Sequence, residues 1–340
     1  MTSVDISAKT ARPPGPGAGL SAARVKTELE RFALVIAWVA LIALFGALMP
    51  EVFLSWRNFS TMFGSQAVLV VLTLAILVPL TSGDFDLSCA SVLTLSAMMV
   101  AVLNVVHGWP ILPVLVCVLA AGALVGAVNA FFVLYFRIHS LIVTLGIGTF
   151  VNGVILWISD SQTLSGISMG LVQWVVINRV FGIPVAFFYA LLLTVVIWYV
   201  FEYTVPGRKL LFVGRGREVS RLNGINVDRV RASSFIASGV IAAFAGILYA
   251  GMTGSADPLS GLNLLLPAFA AAFLGATSIM PGRFNPVGAF IAVYFLVTGI
   301  TGLTMLGANA YVQNLFYGGA LVIAVALSQL VRNRQPQDFS

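Results

Sequence analysis

The chain has 340 residues, of which 59% are hydrophobic and 9% charged, with a formal net charge of +6 and a mean hydropathy of +1.02. A soluble domain carries roughly 45–50% apolar and about 25% charged residues, and it still needs a polar surface. The composition therefore excludes a soluble globular protein, and the small basic surplus fits a membrane face beside anionic lipid better than a nucleic-acid site.

The first thirty-one residues are polar, basic and rich in Pro and Gly ("ARPPGPGAG", 11–19). They lack the apolar core of a cleavable signal peptide and read as a mobile cytoplasmic tail. Residues 21–32 have the pattern of a short interfacial helix. Beyond them a single transmembrane domain is expected over 32–330, with a second cytoplasmic tail at 331–340.

A spanning helix needs about 20 mostly apolar residues. About ten segments qualify: 32–49, 64–82, 86–106, 110–136, 140–159, 184–204, 232–252, 262–280, 286–306 and 310–330. Their apolar runs are continuous rather than alternating, which points to helices and not to a barrel. The expected fold class is thus all-α and polytopic. With the N-terminus inside, sixteen basic residues fall on the cytoplasmic side and only Arg57 and Arg179 fall outside. That asymmetry places both termini in the cytoplasm.

The two cysteines, Cys89 and Cys117, lie in apolar runs and read as small hydrophobes, not as a disulfide. The third expected span opens on a pair of acids, Asp84 and Asp86. A carboxylate is costly inside a bilayer, so these two call for an explanation. Asp86 is placed to cap the following helix, and Asp84 to pair with a basic loop residue. Alternatively the pair forms a gate, or a relay for protons or sodium. Ser88, Asn129, Thr144, Thr149, Asn152, Asn263, Thr298 and Thr301 place hydroxyls and amides within spans, either facing a passing polar solute or bonding between helices. Glycines recur at helical spacing (Gly122 and Gly126, Gly146 and Gly153, Gly239 and Gly246), which favours close helix packing. The segment 160–181 is expected outside, with a short surface helix around Trp174.

The largest inside loop, 205–231, carries "GRGREVSRLNGINVDRVR" over 214–231, with seven charges in eighteen residues. Glu218–Asn223 reads as a short helix. Val219, Leu222 and Ile225 make its apolar stripe. Arg217, Glu218 and Arg221 make its charged face, with Glu218 in reach of Arg221. Asn223-Gly224 is a helix stop. The element is either a solvated positive-inside loop or a docking helix for a soluble partner.

No catalytic site is legible. A phosphate-cradling loop needs G-x-x-x-x-G-K-[ST], and neither Lys9 nor Lys26, each followed by Thr, has the preceding glycine. His107 and His139 have no partner pattern for a metal or a nucleophile.

Four stretches carry a resemblance in common. "VGRGREVSRLNGINVDRVR" (213–231) resembles the cytoplasmic loop of the ribose-type sugar ABC-transporter permeases, close to V-G-G-N-E-E-A-A-R-L-S-G-I-N-V. "TSGDFDLSCASVLTLSA" (81–97), "VNAFFVLYFRIHSLIVTLGIGTFVNGV" (128–154) and "LGATSIMPGRFNPVGAF" (274–290) are similar to that family's segments in the same order. Arg217 stands where the family usually has the first of two acids, and Pro281 where it has Gly.

The resemblance implies the permease subunit of an ATP-driven importer for a monosaccharide or small polyol. It implies no cofactor and no enzyme activity in this chain. The implied partners are a cytoplasmic ATP-binding subunit, a periplasmic or lipid-anchored sugar-binding protein and a second permease subunit, in the bacterial inner membrane. Arg217, Glu218, Val219, Arg221, Leu222, Gly224 and Ile225 become ATPase-coupling candidates. Asp84, Asp86, Ser88, Asn129, Thr144, Asn152 and Asn263 become pathway or gate candidates. The competing class is an ion-coupled secondary transporter, which would place paired charges at mid-membrane and needs no docking helix.

Overall fold

The computed structural model describes residues 18–309 and 311–334; most of the first expected tail (1–17) and the end of the second (335–340) lie outside them. The first helix, α1 (Ala18–Leu48), takes residues 21–32 and the first span into one continuous element. Short α2 (Pro50–Phe53) leads to α3 (Trp56–Ser65) and α4 (Ala67–Thr81). Next come α5 (Cys89–Ala101), extended by a π turn over Val102–Val106, α6 (Ile111–Tyr135) and α7 (Ser140–Ser159).

The connection after α7 holds β1 (Leu164–Ser165) and α8 (Met169–Val172), which continues into a π turn at Gln173–Ile177. The strands β2 (Arg179–Val180) and β3 (Ile183–Pro184) follow. Residues 160–181 therefore do contain a short helix, with Trp174 exposed. α9 (Val185–Tyr203) returns to the opposite end of the bundle. There α10 (Val205–Arg215) and α11 (Arg217–Leu222) precede the long α12 (Val227–Thr253). β4 (Ser255–Ala256) pairs antiparallel with β1, and α13 (Leu262–Gly275), α14 (Pro286–Met305) and α15 (Tyr311–Arg334) complete the described chain.

Eight segments among the described residues are long and apolar enough to cross a membrane, and α3 with α4 counts as one of them. The expected eighth and tenth spans correspond to shorter apolar helices, Leu262–Gly275 and Tyr311–Ala326. The protein is an all-α polytopic membrane protein. α13 stops early because Asn285 folds back on its end. The Asn285 amide donates to the carbonyls of Gly275 and Ser278, while its Oδ1 caps α14 by accepting from the Gly288 N–H.

α4 is apolar all round and all fifteen of its residues are buried, as expected of a helix surrounded by others. α12 packs against α4, α5 and α6, and small residues allow that approach. A Cβ at Gly239 would stand 2.1 Å from the Gly122 carbonyl oxygen, one at Gly126 2.4 Å from the Phe235 oxygen, and one at Gly246 2.3 Å from the Leu93 oxygen. Gly146 and Gly153, expected to serve the same purpose, have no atom within 4 Å of such a Cβ among the described residues.

Loop 205–231 is not a single short helix in an irregular loop. α10 is an additional amphipathic helix. Thr204 caps it by accepting from the Gly207 N–H, and Pro206 sits in its first turn, where a missing N–H costs nothing. Gly207 and Gly214 bring its backbone against the carbonyls of Val200 and Thr81. α10 thus bridges the ends of α9 and α4.

Candidate functional site: the acidic connection and the loop helix

The connection 82–88 between α4 and α5 is irregular rather than helical, so the third span begins at Cys89, three residues after Asp86. Two of its backbone donors are met by side chains from α7, and those of Ser82, Gly83 and Asp84 by carbonyls at the end of α4. The Phe85 N–H donates to Ser140 Oγ and the Leu87 N–H to Thr144 Oγ1, both at 3.1 Å. Each bond satisfies a buried peptide group that no regular ladder serves.

Asp84 is almost fully buried, with 2% of its side chain exposed, and it meets two guanidiniums. Arg231, in the second turn of α12, holds it in a fork, Nε to Oδ2 and Nη2 to Oδ1, each at 2.7 Å. Arg217, the first residue of α11, donates to Asp84 Oδ1 at 3.1 Å and to the Gly83 carbonyl at 3.0 Å. The expected pairing of Asp84 with a loop cation is therefore present twice. A forked, charge-assisted contact of this kind fixes geometry as well as charge. Ser82 and Ser234 hydroxyls meet at 3.2 Å beside it.

Asp86, two residues on, is also buried. It accepts from the Ser88 N–H at 3.0 Å, from the Ser88 hydroxyl at 2.6 Å and from the Ser238 hydroxyl of α12 at 2.9 Å. Burial in this connection, outside the spans, pushes its carboxyl up from the ordinary carboxylate range, and hydrogen bonds from Ser88, Ser238 and Cys89 pull it back. Asn129 of α6 donates to Ser88 Oγ at 2.7 Å, and the Asn129 Oδ1 has no hydrogen-bond partner among the described residues. Cys89 Sγ lies 3.0 Å from Ser238 Oγ, and both cysteines are free.

Asp84, Asp86, Ser88, Asn129 and Thr144 are thus gathered into one hydrogen-bonded assembly linking α6, α7, α11 and α12. Asn152 and Asn263 are not part of it. Asn152 is half-buried on α7 and Asn263 is exposed at the start of α13. Sequence reading did not single out Arg231, Ser238 or Ser140. A serine in an apolar helix gives no signal, and Arg231 was indistinguishable from its basic neighbours.

α11 spans Arg217–Leu222 and ends in a full Schellman turn, with the Ile225 N–H on the Ser220 carbonyl and the Gly224 N–H on the Arg221 carbonyl. Gly224 has φ +74°. Val219 is 53% exposed and Leu222 84%, and Ile225 is half-buried. The expected Glu218–Arg221 contact is replaced: Arg221 reaches Asp228 at 3.6 Å across the Gly224 turn, both side chains being about half exposed. Asn226 then caps α12 by accepting from the Arg229 N–H.

A further ion pair joins Glu202 at the end of α9 to Arg283 in the connection before α14. Burial alone lowers the Arg283 pKa from its ordinary value. No group of three His, Cys, Asp or Glu side chains placed to hold a metal ion occurs among the described residues.

Residues 58–325 match the family described as "Branched-chain amino acid transport system / permease component". The chain is 30% identical over 291 residues to the D-allose transport system permease protein of Escherichia coli (strain K12), covering 86% of this chain and 89% of the relative. It is 30% identical over 295 residues to the ribose import permease protein of the same strain, covering 86% and 91%. It is 28% identical over 342 residues to the L-arabinose ABC transporter permease protein of Azospirillum brasilense, covering 95% of each. No solved structure matches the chain significantly. The four stretches in register were therefore a true sign of kinship, and the chain belongs to this family of transport-system permease components, multi-pass membrane proteins that are not enzymes.

Proposed function

We propose that this chain is the membrane permease of an ATP-driven importer for a monosaccharide or related polyol, and that α11 seats a separate ATP-hydrolysing subunit. One observation carries the docking role. α11 holds two large apolar side chains out to solvent, Leu222 at 84% exposure and Val219 at 53%, while Arg217 at its other end grips the buried Asp84. Exposed apolar anchors on a rigid, capped element are what a partner groove engages. The Arg217–Asp84–Arg231 contact then connects that element to the core. Movement of α11 would be passed to connection 82–88, and from there through Ser140, Thr144 and Ser238 to α7 and α12.

The basic asymmetry supports a cytoplasmic position for loop 205–231 and both termini. The segment carrying α8 then faces the side from which a periplasmic or lipid-anchored binding protein delivers solute. A second permease subunit completes the pathway. Within this reading Asp84, Asp86, Ser88, Asn129 and Thr144 hold the gate region together, and Asn152 and Asn263 have polar groups free to meet a solute. An ion-coupled mechanism fits less well. It needs a carboxylate that binds and releases its cation, and Asp84 is already matched by two guanidiniums while Asp86 is matched by three donor contacts.

The choice of a sugar rests on the relatives named for allose, ribose and arabinose. Proteoliposomes holding the permease with its ATPase, supplied with the binding protein and labelled aldoses, test the reading. Uptake that requires enclosed ATP is expected. Uptake driven by an ion gradient without ATP, or uptake of branched-chain amino acids in place of every sugar, would overturn it.

A further inference from the structure

α10 lies across the end of the bundle with Gly207, Leu210 and Val213 buried, and with Arg208, Lys209, Phe212 and Arg215 exposed. Between its first turn and the start of α12 opens a cleft of about 250 Å³, lined by Val205, Pro206, Lys209, Arg229, Val230 and Ser233. Two cations of different helices thus face one space. Neither Lys209 nor Arg229 forms an ion pair among the described residues, and the nearest acid in sequence, Asp228, is held by Arg221. The rest of the lining is mainly apolar.

The cleft also sits at a definite depth. It begins two residues beyond Tyr203, where a span ends. At that end Tyr199 stacks on Tyr203 with ring centroids 5.4 Å apart, Trp198 meets Tyr203 edge-on at 5.5 Å, and both tyrosines are exposed. Exposed aromatic clusters of this kind mark the headgroup level of a bilayer, and basic pockets between helices at that level suit phosphate headgroups.

We infer that this cleft binds the headgroup phosphate of an anionic glycerophospholipid of the phosphatidylglycerol type. Lys209 and Arg229 take the phosphate between them, and Val205, Pro206 and Val230 meet the glycerol and upper chain. The seat holds α10 against α12, on the element next to α11.

The test uses the full-length protein in detergent micelles, titrated with phosphatidylglycerol or phosphatidylcholine and read by native mass spectrometry. One phosphatidylglycerol is expected to bind in preference to phosphatidylcholine. The variant Lys209→Gln/Arg229→Gln should bind it on the order of thirtyfold more weakly, from two lost headgroup contacts. The variant Arg208→Gln/Arg215→Gln removes the same charge outside the cleft and should bind normally. Equal loss in both variants would reduce the effect to net charge and overturn the proposal. Displacement of the lipid by millimolar inorganic phosphate would assign the cleft to a soluble anion and also overturn it. Labelling of Lys209 with an amine reagent, mapped by peptide, gives a second readout. Protection by phosphatidylglycerol vesicles is expected. Protection by the ATPase subunit alone, with no effect of the lipid, would make the cleft a protein seat and refute the inference.

Discussion

Replacing Arg231 by Ala should cost far more stability than replacing Arg217 by Ala, although both touch the same carboxylate. The Arg231 side chain is 12% exposed and makes two 2.7 Å bonds to Asp84. Arg217 is 42% exposed and makes one bond of 3.1 Å to it. Without Arg231, a carboxylate with 2% of its surface in contact with solvent keeps only the weaker partner. Breaking a buried pair by removing one member costs about 3–5 kcal/mol, while a solvent-screened contact is worth about 0.2–1 kcal/mol. Denaturant unfolding of the purified protein in detergent, followed by tryptophan fluorescence, measures both. The double variant Asp84→Asn/Arg231→Ala leaves no unmatched buried charge there and should recover most of the Arg231→Ala loss. Equal costs for the two single variants, or no recovery in the double variant, would refute the assignment of Arg231 as the principal partner.

Three further outcomes are expected. Gly224→Val should lower stability by about 1–3 kcal/mol and depress uptake, because φ +74° strains a β-branched residue. No atom lies within 4 Å of a Cβ at that position among the described residues, so Gly224→Asn, which tolerates the left-handed region, should be much milder. A cysteine replacing Arg215 should resist membrane-impermeant thiol reagents in intact cells and react in inverted vesicles; labelling from outside would invert the topology. Charge reversal at both Asp160 and Arg179 should reduce stimulation of ATP hydrolysis by the loaded binding protein while leaving the basal rate of the assembled complex intact; unchanged stimulation would remove that surface from the docking account.

Much of this architecture was legible because lipid imposes it. Helices that must satisfy every peptide group internally and bury apolar length leave long uninterrupted runs, so the spans stand out. The short α11 was legible for a different reason: Asn223-Gly224 announces a helix stop, and the Schellman turn is there. α10 was missed although Thr204 and Pro206 are helix-start signals, because its mixed charged and apolar residues blend with a positive-inside loop. The irregular connection 82–88 was hidden by its apolar neighbours. Continuous hydropathy suggested that helix begins at Asp86, whereas the Ser140 and Thr144 hydroxyls hold the Phe85 and Leu87 N–H groups in a connection that turns helical only at Cys89. The pairing of Asp84 was foreseeable in kind, but the choice of Arg231 depends on α12 passing beside α4, which follows from contacts far apart in sequence.

The central claim is that α11 couples this permease to a separate ATPase through its apolar anchor. Co-purification of full-length permease with its ATPase subunit, together with ATP hydrolysis stimulated by the loaded binding protein, tests it most directly in Leu222→Asp. The variant changes a side chain that is 84% exposed, so insertion and unfolding behaviour should match the parent protein. Loss of the ATPase from the purified complex, with stimulation abolished, is the predicted result. Intact assembly with full stimulation would show that the charge-rich loop serves orientation alone.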